Sequence, residues 1–322
     1  MKRFRISPPI AALILAVILF LLSGFLPNSY GSNVKVALSQ ATNILRLSVF
    51  LGVIAAGQTL VIISGFEGID LSAGSVVTLT AILTYVLVKG ENNMVILALL
   101  VSLLVGALIG LLNGGGITYL RISPFVMTLS MAGVVTGAII ILNHGNVSGK
   151  VAPIMTRVIA RPISQSIPIP GAIVIWLIFG VLMWLLLERT TFGKHLFAIG
   201  VNRVASKLSG VNVNGMNLAT YSLAGLLAGF GGFLLVGNTG VVLIQLGQPF
   251  LFPSIAAVAV GGTLLSGGKG SYWGTMAGAI VLTLITSLLT TMQMPDSVRR
   301  MVLGGTLLVL ISIYGRQQAL RQ

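Results

Sequence analysis

The sequence predicts an all-α polytopic membrane protein, and three observations carry that prediction. Of its 322 residues, 56% are apolar and 7% charged, whereas a soluble domain devotes about a quarter of its residues to charge. Apolar runs of about 20 residues, the length that crosses a hydrocarbon layer of about 30 Å, recur about ten times between Pro9 and Tyr314. These runs are continuous and do not alternate with polar residues, so the spans are helices and not strands of a barrel. The connections are too short for a soluble domain, which makes residues 1–322 one transmembrane domain.

The first span, 10–26, follows the basic stretch Met1–Arg5 and begins like a signal peptide. It has no A-x-A-like exit and is read as an uncleaved helix. The others are placed at 44–64, 72–88, 94–113, 124–142, 171–187, 217–237, 249–265, 273–291 and 300–314. With both termini inside, the cytoplasmic segments hold eleven basic residues (Lys2, Arg3, Arg5, Arg121, Arg189, Lys194, Arg203, Lys207, Lys269, Arg316, Arg321) and the opposite side eight. This excess sets the expected orientation. The net charge of +14 calls for no nucleic acid, because the cations sit at span ends, where they meet anionic headgroups, and form no basic run with interleaved aromatics. Cysteine is absent, which excludes disulfides and thiolate metal sites.

Two connections are longer than turns. Segment 143–170 carries Pro153, Pro162, Pro168 and Pro170, is assigned to the extracytoplasmic side, and is expected to have little regular structure. Segment 188–216, with Arg189, Lys194, Arg203 and Lys207, is assigned to the cytoplasm, with a short helix over Asn202–Leu208. Glycines such as Gly225, Gly229, Gly231, Gly232 and Gly237 cluster within one span and are read as close helix contacts. Proline opens a span in both halves, at Pro124 and Pro253, in keeping with a duplicated architecture.

Catalytic chemistry finds little footing. The run Gly261–Ser271 fails as a phosphate-binding loop: counting back from Lys269 puts Thr263 where the first Gly belongs, and Gly270 stands where Ser or Thr must ligate magnesium. His144 and His195 fall on opposite faces, and Glu67 with Asp70 lacks convergent partners for hydrolysis. The segment Gly65–Ser75 interrupts two apolar runs and holds two of the five acids, Glu67 and Asp70. Asp70 or Ser72 is expected to cap the following helix, while a gate or a polar lining is the alternative.

At this segment the chain resembles a family. GIDLSAGS at 68–75 is similar to the GIDLSVGS signature of the ribose-type permeases of ATP-binding-cassette importers. SPFVMTLSMAGVVTGAIIIL at 123–142 is similar to their PFIVTLG segment, and IAAVAVGGTLLSGGKGSYWGTMAGAIVL at 255–282 looks like a further block. The most specific block is 190–213, where Gly193, Ala198, Gly200, Asn202, Ala205, Ser209 and Gly210 fall in register. Departures are Val201 for a usual Gly, Ser206 for Ala and Lys194 for Arg.

The resemblance implies a non-enzymatic transport subunit of the bacterial cytoplasmic membrane that binds no cofactor itself. ATP and magnesium belong to a partner ATPase, and further partners are an extracytoplasmic sugar-binding protein, a second permease subunit, identical or paralogous, and lipid. Gly200, Asn202, Ala205, Leu208, Ser209 and Gly210 then become the ATPase-coupling block, a short helix between glycine hinges. Polar residues in or beside spans, namely Asp70, Ser72, Asn113, Thr128, Ser130, Asn143 and Asn238, are candidates for the pathway or its gate, or else bond to their own helices. Lys150, Arg157, Arg161, Arg299 and Arg300 are candidates for docking the binding protein, or are simply solvated loop charges. Rival readings are a branched-chain amino-acid importer permease and an ion-coupled secondary transporter; the latter usually wants ionisable residues within spans, which this chain almost lacks.

Overall fold

The computed structural model describes residues 7–25, 33–65, 68–143, 149–163 and 169–319. Lys2, Arg3, Arg5, Pro168, Glu67, His144 and Arg321 lie outside the described residues. Thirteen α-helices follow in order: α1 Pro8–Ser23, α2 Val34–Ile63, α3 Ala73–Val88, α4 Val95–Tyr119, α5 Pro124–Asn143, α6 Pro153–Ile159 and α7 Gly171–Trp184. After a π-turn over Leu185–Arg189 come α8 Thr191–Val201, α9 Arg203–Leu208, α10 Val213–Thr239, α11 Leu251–Val260, α12 Tyr272–Thr291 and α13 Asp296–Ala319. No sheet occurs among the described residues, only an isolated bridge between Pro162 and Pro170.

Local chemistry explains the helix starts. Pro8, Pro124 and Pro153 stand in the first turn, where a missing N–H costs nothing. Asn33, Thr190, Asn202, Asn212 and Ser271 cap α2, α8, α9, α10 and α12 through their side-chain oxygens. Gly240 ends α10 in the left-handed region.

Each expected span contains a helix. Among the described residues, six helical stretches are long and apolar enough to cross a membrane, 34–63, 92–119, 124–141, 171–189, 213–239 and 272–291, beside shorter apolar helices at Pro8–Ser23, Ala73–Val88 and Gln248–Val260. The span expected at 249–265 is α11, ten residues long, which reaches only about 15 Å. Gly261 and Gly262 end it, and the backbone of 261–270 turns through positive φ at Gly262, Gly267 and Gly268. Apolar composition could not separate a half-length helix followed by an apolar loop from one full span. The proline-bearing segment 143–170 also holds a helix, α6, because Pro153 sits at its first position, where proline favours a helix.

The centre of the molecule is α2 and α10. Along α10, glycines replace side chains with backbone contact: a Cβ at Gly225 would strike the Gly106 carbonyl of α4, and one at Gly229 the Ser102 carbonyl. Gly232 does the same against the Val77 carbonyl of α3, beside the Thr80 hydroxyl, whereas Gly231 and Gly237 make room for the side chains of Ile54 of α2 and Ile159 of α6. All five glycines therefore serve close packing. Gly52 of α2 makes a slot for the Trp176 ring of α7, whose Nε1 donates to the Tyr272 hydroxyl at 3.0 Å, which donates to the Gly52 carbonyl at 3.0 Å. The α1 helix packs on α12 through Ala12, Ala16, Ala277 and Val281.

The thirty residues of α2 extend about 45 Å and so connect two ends. At its start, Lys35 and Arg46 face Ala160, Pro162 and Pro170, and the Arg46 guanidinium donates to the Ala160 carbonyl at 3.4 Å. At its finish, the Ile63 carbonyl accepts the Gly268 N–H at 2.9 Å and abuts Gly200. The stretch around Ala160, Pro162 and Pro170 and the end of α8 at Gly200 therefore lie at opposite ends of α2.

Candidate translocation and coupling sites

Between α2 and α3 the described residues Ser64, Gly65 and 68–72 form no helix, and the backbone at Asp70, Leu71 and Ser72 finds partners inside the protein, as it must at membrane depth. Gln58 on α2 serves the break as a sheet partner would: its Nε2 donates to the Asp70 carbonyl at 2.6 Å, and its Oε1 accepts the Asp70 N–H at 3.2 Å. The Asp70 carboxylate accepts from the Ser72 N–H at 2.9 Å and the Ser72 hydroxyl at 2.6 Å. Asn113 of α4 donates to the Ser72 hydroxyl at 2.9 Å. Thr128 of α5 accepts the Leu71 N–H at 3.0 Å.

The structure thus brings together Asp70, Ser72, Asn113 and Thr128 from three regions of the chain, all at 2% exposure or less. Neither Asp70 nor Ser72 caps α3 as expected. Ser72 occupies the N-cap position without a side-chain bond to the helix, because its hydroxyl is committed to Asp70 and Asn113. Among the buried oxygens without a hydrogen-bond partner in the described residues are Asn113 Oδ1 and the Tyr221 hydroxyl. Tyr221 packs on α4 at Gly110 and Gly114, the helix face that also carries Asn113. This arrangement holds a broken backbone in place.

The other polar candidates lie elsewhere. Ser130 is exposed on α5, one turn from Gly133 and two from Gly137, where a Cβ would meet nothing within 4 Å among the described residues. Asn143 is the last residue of α5, and its side chain lies outside the described residues. Asn238 is partly buried near the end of α10, with its Oδ1 unpartnered among the described residues.

A second broken segment matches the first. Residues 240–247 run without helix from α10 toward α11, and the Gly247 N–H donates to the Thr78 hydroxyl of α3 at 3.0 Å. Gly74 leaves room for this approach, since a Cβ there would stand 3.2 Å from the Gly247 carbonyl. The starts of α3 and α11 are therefore held side by side.

Near the end of α2, α9 is the short helix expected over 202–208, and it follows α8, a longer helix that the sequence reading did not place. Asn202 caps α9 by accepting the Ala205 N–H at 2.9 Å, and Ser206 donates to the Asn202 carbonyl at 2.8 Å. Gly210 terminates the unit at φ +85°, with open space around it. Ala205, Leu208, Ser209 and Gly210 are exposed, and Val201, Val204 and Leu208 present an apolar surface between Arg203 and Lys207. Gly200 differs from Gly210: it is wedged against the backbone of Ile63 and Gly268.

At the other end, Lys150, Arg157 and Arg161 are exposed on and around α6. Arg300 instead pairs with Asp296 at 2.7 Å, and Arg299 donates to Thr290 at 3.0 Å while standing 3.8 Å from Asp296. Sequence reading missed Gln58, Tyr221, Gly65, Gly267 and Gly268. Gln58 gave a usable signal, an amide within an apolar span, whereas the glycines show their role only through contacts remote in sequence.

Residues 40–311 match the family described as branched-chain amino acid transport system / permease component. The chain is 30% identical over 311 residues to the ribose import permease protein RbsC of Escherichia coli strain K12, covering 94% of this chain and 92% of that one. It is 33% identical over 279 residues to RbsC of Bacillus subtilis strain 168, covering 86% and 85%. To the fructose import permease protein FrcC of Rhizobium meliloti it is 31% identical over 278 residues, covering 84% and 76%. No solved structure matches the chain. With the match running through the broken segments, α8–α9 and the glycine-packed core, the chain is a multi-pass membrane protein that belongs to this family of transport-system permease components.

Proposed function

We propose that the chain is the membrane-spanning subunit of an ATP-driven importer for a ribose-like monosaccharide. The observation that carries this reading is the similarity to ribose import permeases along nearly the whole chain. On this reading residues 1–322 form one transmembrane domain in a bacterial cytoplasmic membrane, with both termini cytoplasmic. ATP and magnesium are bound by a separate ATPase, which meets α9 at Val204 and Leu208. Exposed apolar side chains on a six-residue helix flanked by cations support such a contact, since they point away from the bundle.

A binding protein delivers sugar at the opposite end, near Lys150, Arg157 and Arg161. Two permease subunits face each other across α5, whose Ser130, Gly133 and Gly137 leave a small polar face uncovered. Sugar passes along this face, while Asp70, Ser72, Asn113 and Thr128 hold the gate segment behind it.

Reconstituted vesicles containing the chain, its ATPase and its binding protein test the reading. Ribose uptake should require ATP and the binding protein and ignore ionophores; uptake driven by an ion gradient alone overturns it. Because the chain has no native cysteine, a Ser130→Cys variant gives a single label. Transported sugar should slow its modification, and an unchanged rate would remove Ser130 from the route.

A further inference from the structure

Three backbone segments, distant in sequence, meet where α2 ends. They are Gly65 directly after α2, Gly200 in the last turn of α8, and Gly267–Gly268 in the loop between α11 and α12. A Cβ at Gly65 would stand 3.2 Å from Gly200 Cα and 3.4 Å from the Ser266 carbonyl. At Gly267 it would strike Gly65 Cα, and at Gly268 it would lie 2.9 Å from the Val201 N. A Cβ at Gly200 would strike the Ile63 carbonyl and lie 2.9 Å from Gly268 Cα. The Gly268 N–H to Ile63 carbonyl bond, 2.9 Å, ties two of the segments directly. Gly65, Gly267 and Gly268 also have φ values of +74°, +88° and +74°, which side-chain-bearing residues rarely adopt.

Each segment leads to a different part of the transport apparatus. Gly65 opens the break that holds Asp70, Gly200 leads into α9, and Gly267–Gly268 lead back to the half-length α11. Helix α3, which follows the first break, meets the 240–247 segment where Gly74 and Thr78 approach Gly247. Apart from the Val201 side chain beside Gly268, these contacts are backbone against backbone with little room to yield, so displacement of one segment displaces the others.

We propose that this glycine junction is the joint through which α8–α9 moves the Asp70 segment and the 261–270 loop, with Gly65, Gly200, Gly267 and Gly268 as its positioning residues. The proposal rests on the reading that α8–α9 meets an ATPase. The drive enters at α9, crosses at Gly200, and reaches the Asp70 segment and the 261–270 loop together.

The test uses the full complex of chain, ATPase and binding protein in lipid nanodiscs, with hydrogen exchange compared between resting and ATP–vanadate-trapped states. In the unmodified chain, exchange in 198–210, 64–72 and 261–270 should change together on trapping. A response confined to 198–210 overturns the joint and leaves the importer reading intact. Failure of any ATPase to assemble with the chain overturns both.

In Gly200→Ala, ATP hydrolysis should persist while uptake falls about ten-fold, the scale on which residues along a coupling route act. Trapping should then change 201–210 without 64–72. Normal uptake with an unaltered response of 64–72 in this variant overturns the proposal. If Gly200→Ala does not assemble, the exchange pattern of the unmodified complex decides by itself.

Discussion

Helices α2 and α4 have similar length and opposite surroundings. In the most apolar 18-residue stretch of each, 89% of α2 residues are buried but only 22% in α4, although α4 is the more apolar, with mean hydropathy 3.0 against 1.9. In water this order would be reversed. In a bilayer, lipid accepts leucine as readily as a protein interior does, so the helix with polar and small residues takes the centre. Gln58 and Thr59 of α2 are buried because they have partners there, in the Asp70 backbone and in Thr275 at 2.8 Å. Leu100 and Leu104 of α4 face outward at 57% and 59% exposure. The same helix turns Gly106 and Gly110 inward onto α10.

The largest test of this contrast is to disturb the inward face of α4. Gly106→Leu would drive a side chain into the Gly225 carbonyl, and such overpacking costs about 1–3 kcal/mol or more. The variant should show little folded protein by size exclusion in detergent. Removing the polar interior comes next. Gln58→Leu strands the Asp70 N–H and carbonyl, at about 1–3 kcal/mol for each unsatisfied buried group. Thermal melting should report lower stability and vesicle assays lower uptake, and unchanged uptake would show that the break needs no partner from α2.

A smaller loss is expected for Tyr272→Phe, which removes the acceptor for Trp176 Nε1 and the donor to Gly52. Near 1 kcal/mol per typical hydrogen bond, the melting temperature should drop without loss of transport. Leu104→Ala on the outward face should change stability by about 0.5 kcal/mol or less, as for surface positions generally. A large effect there would place a protein partner, not lipid, against that face.

Much of the candidate site was legible residue by residue but not as an arrangement. Asp70 and Ser72 drew attention because acids are scarce and the segment interrupts two apolar runs, and Asn113 and Thr128 because they are polar within spans. Nothing in their separate positions said that all four would meet, or that Ser130, two residues beyond Thr128, would face outward. One residue in an α-helix turns about 100°, so neighbours in sequence can look into different environments. The Gly261–Ser271 run was legible as a failed phosphate loop, but its packing on Gly65 and Gly200 was not.

The sequence by itself determined that the chain crosses a membrane as helices, because composition and run length leave no other way to satisfy the backbone in lipid. It also determined the family, through blocks at 68–75, 123–142, 190–213 and 255–282, and the short helix at α9, through the Asn202 cap and Gly210. Only the tertiary structure decided that 249–265 is a half-length helix, that Asp70 is held by Gln58 and Ser72, and that three glycine segments share one junction. These outcomes depend on which backbones approach within a Cβ of one another, and glycine permits such an approach without specifying its partner.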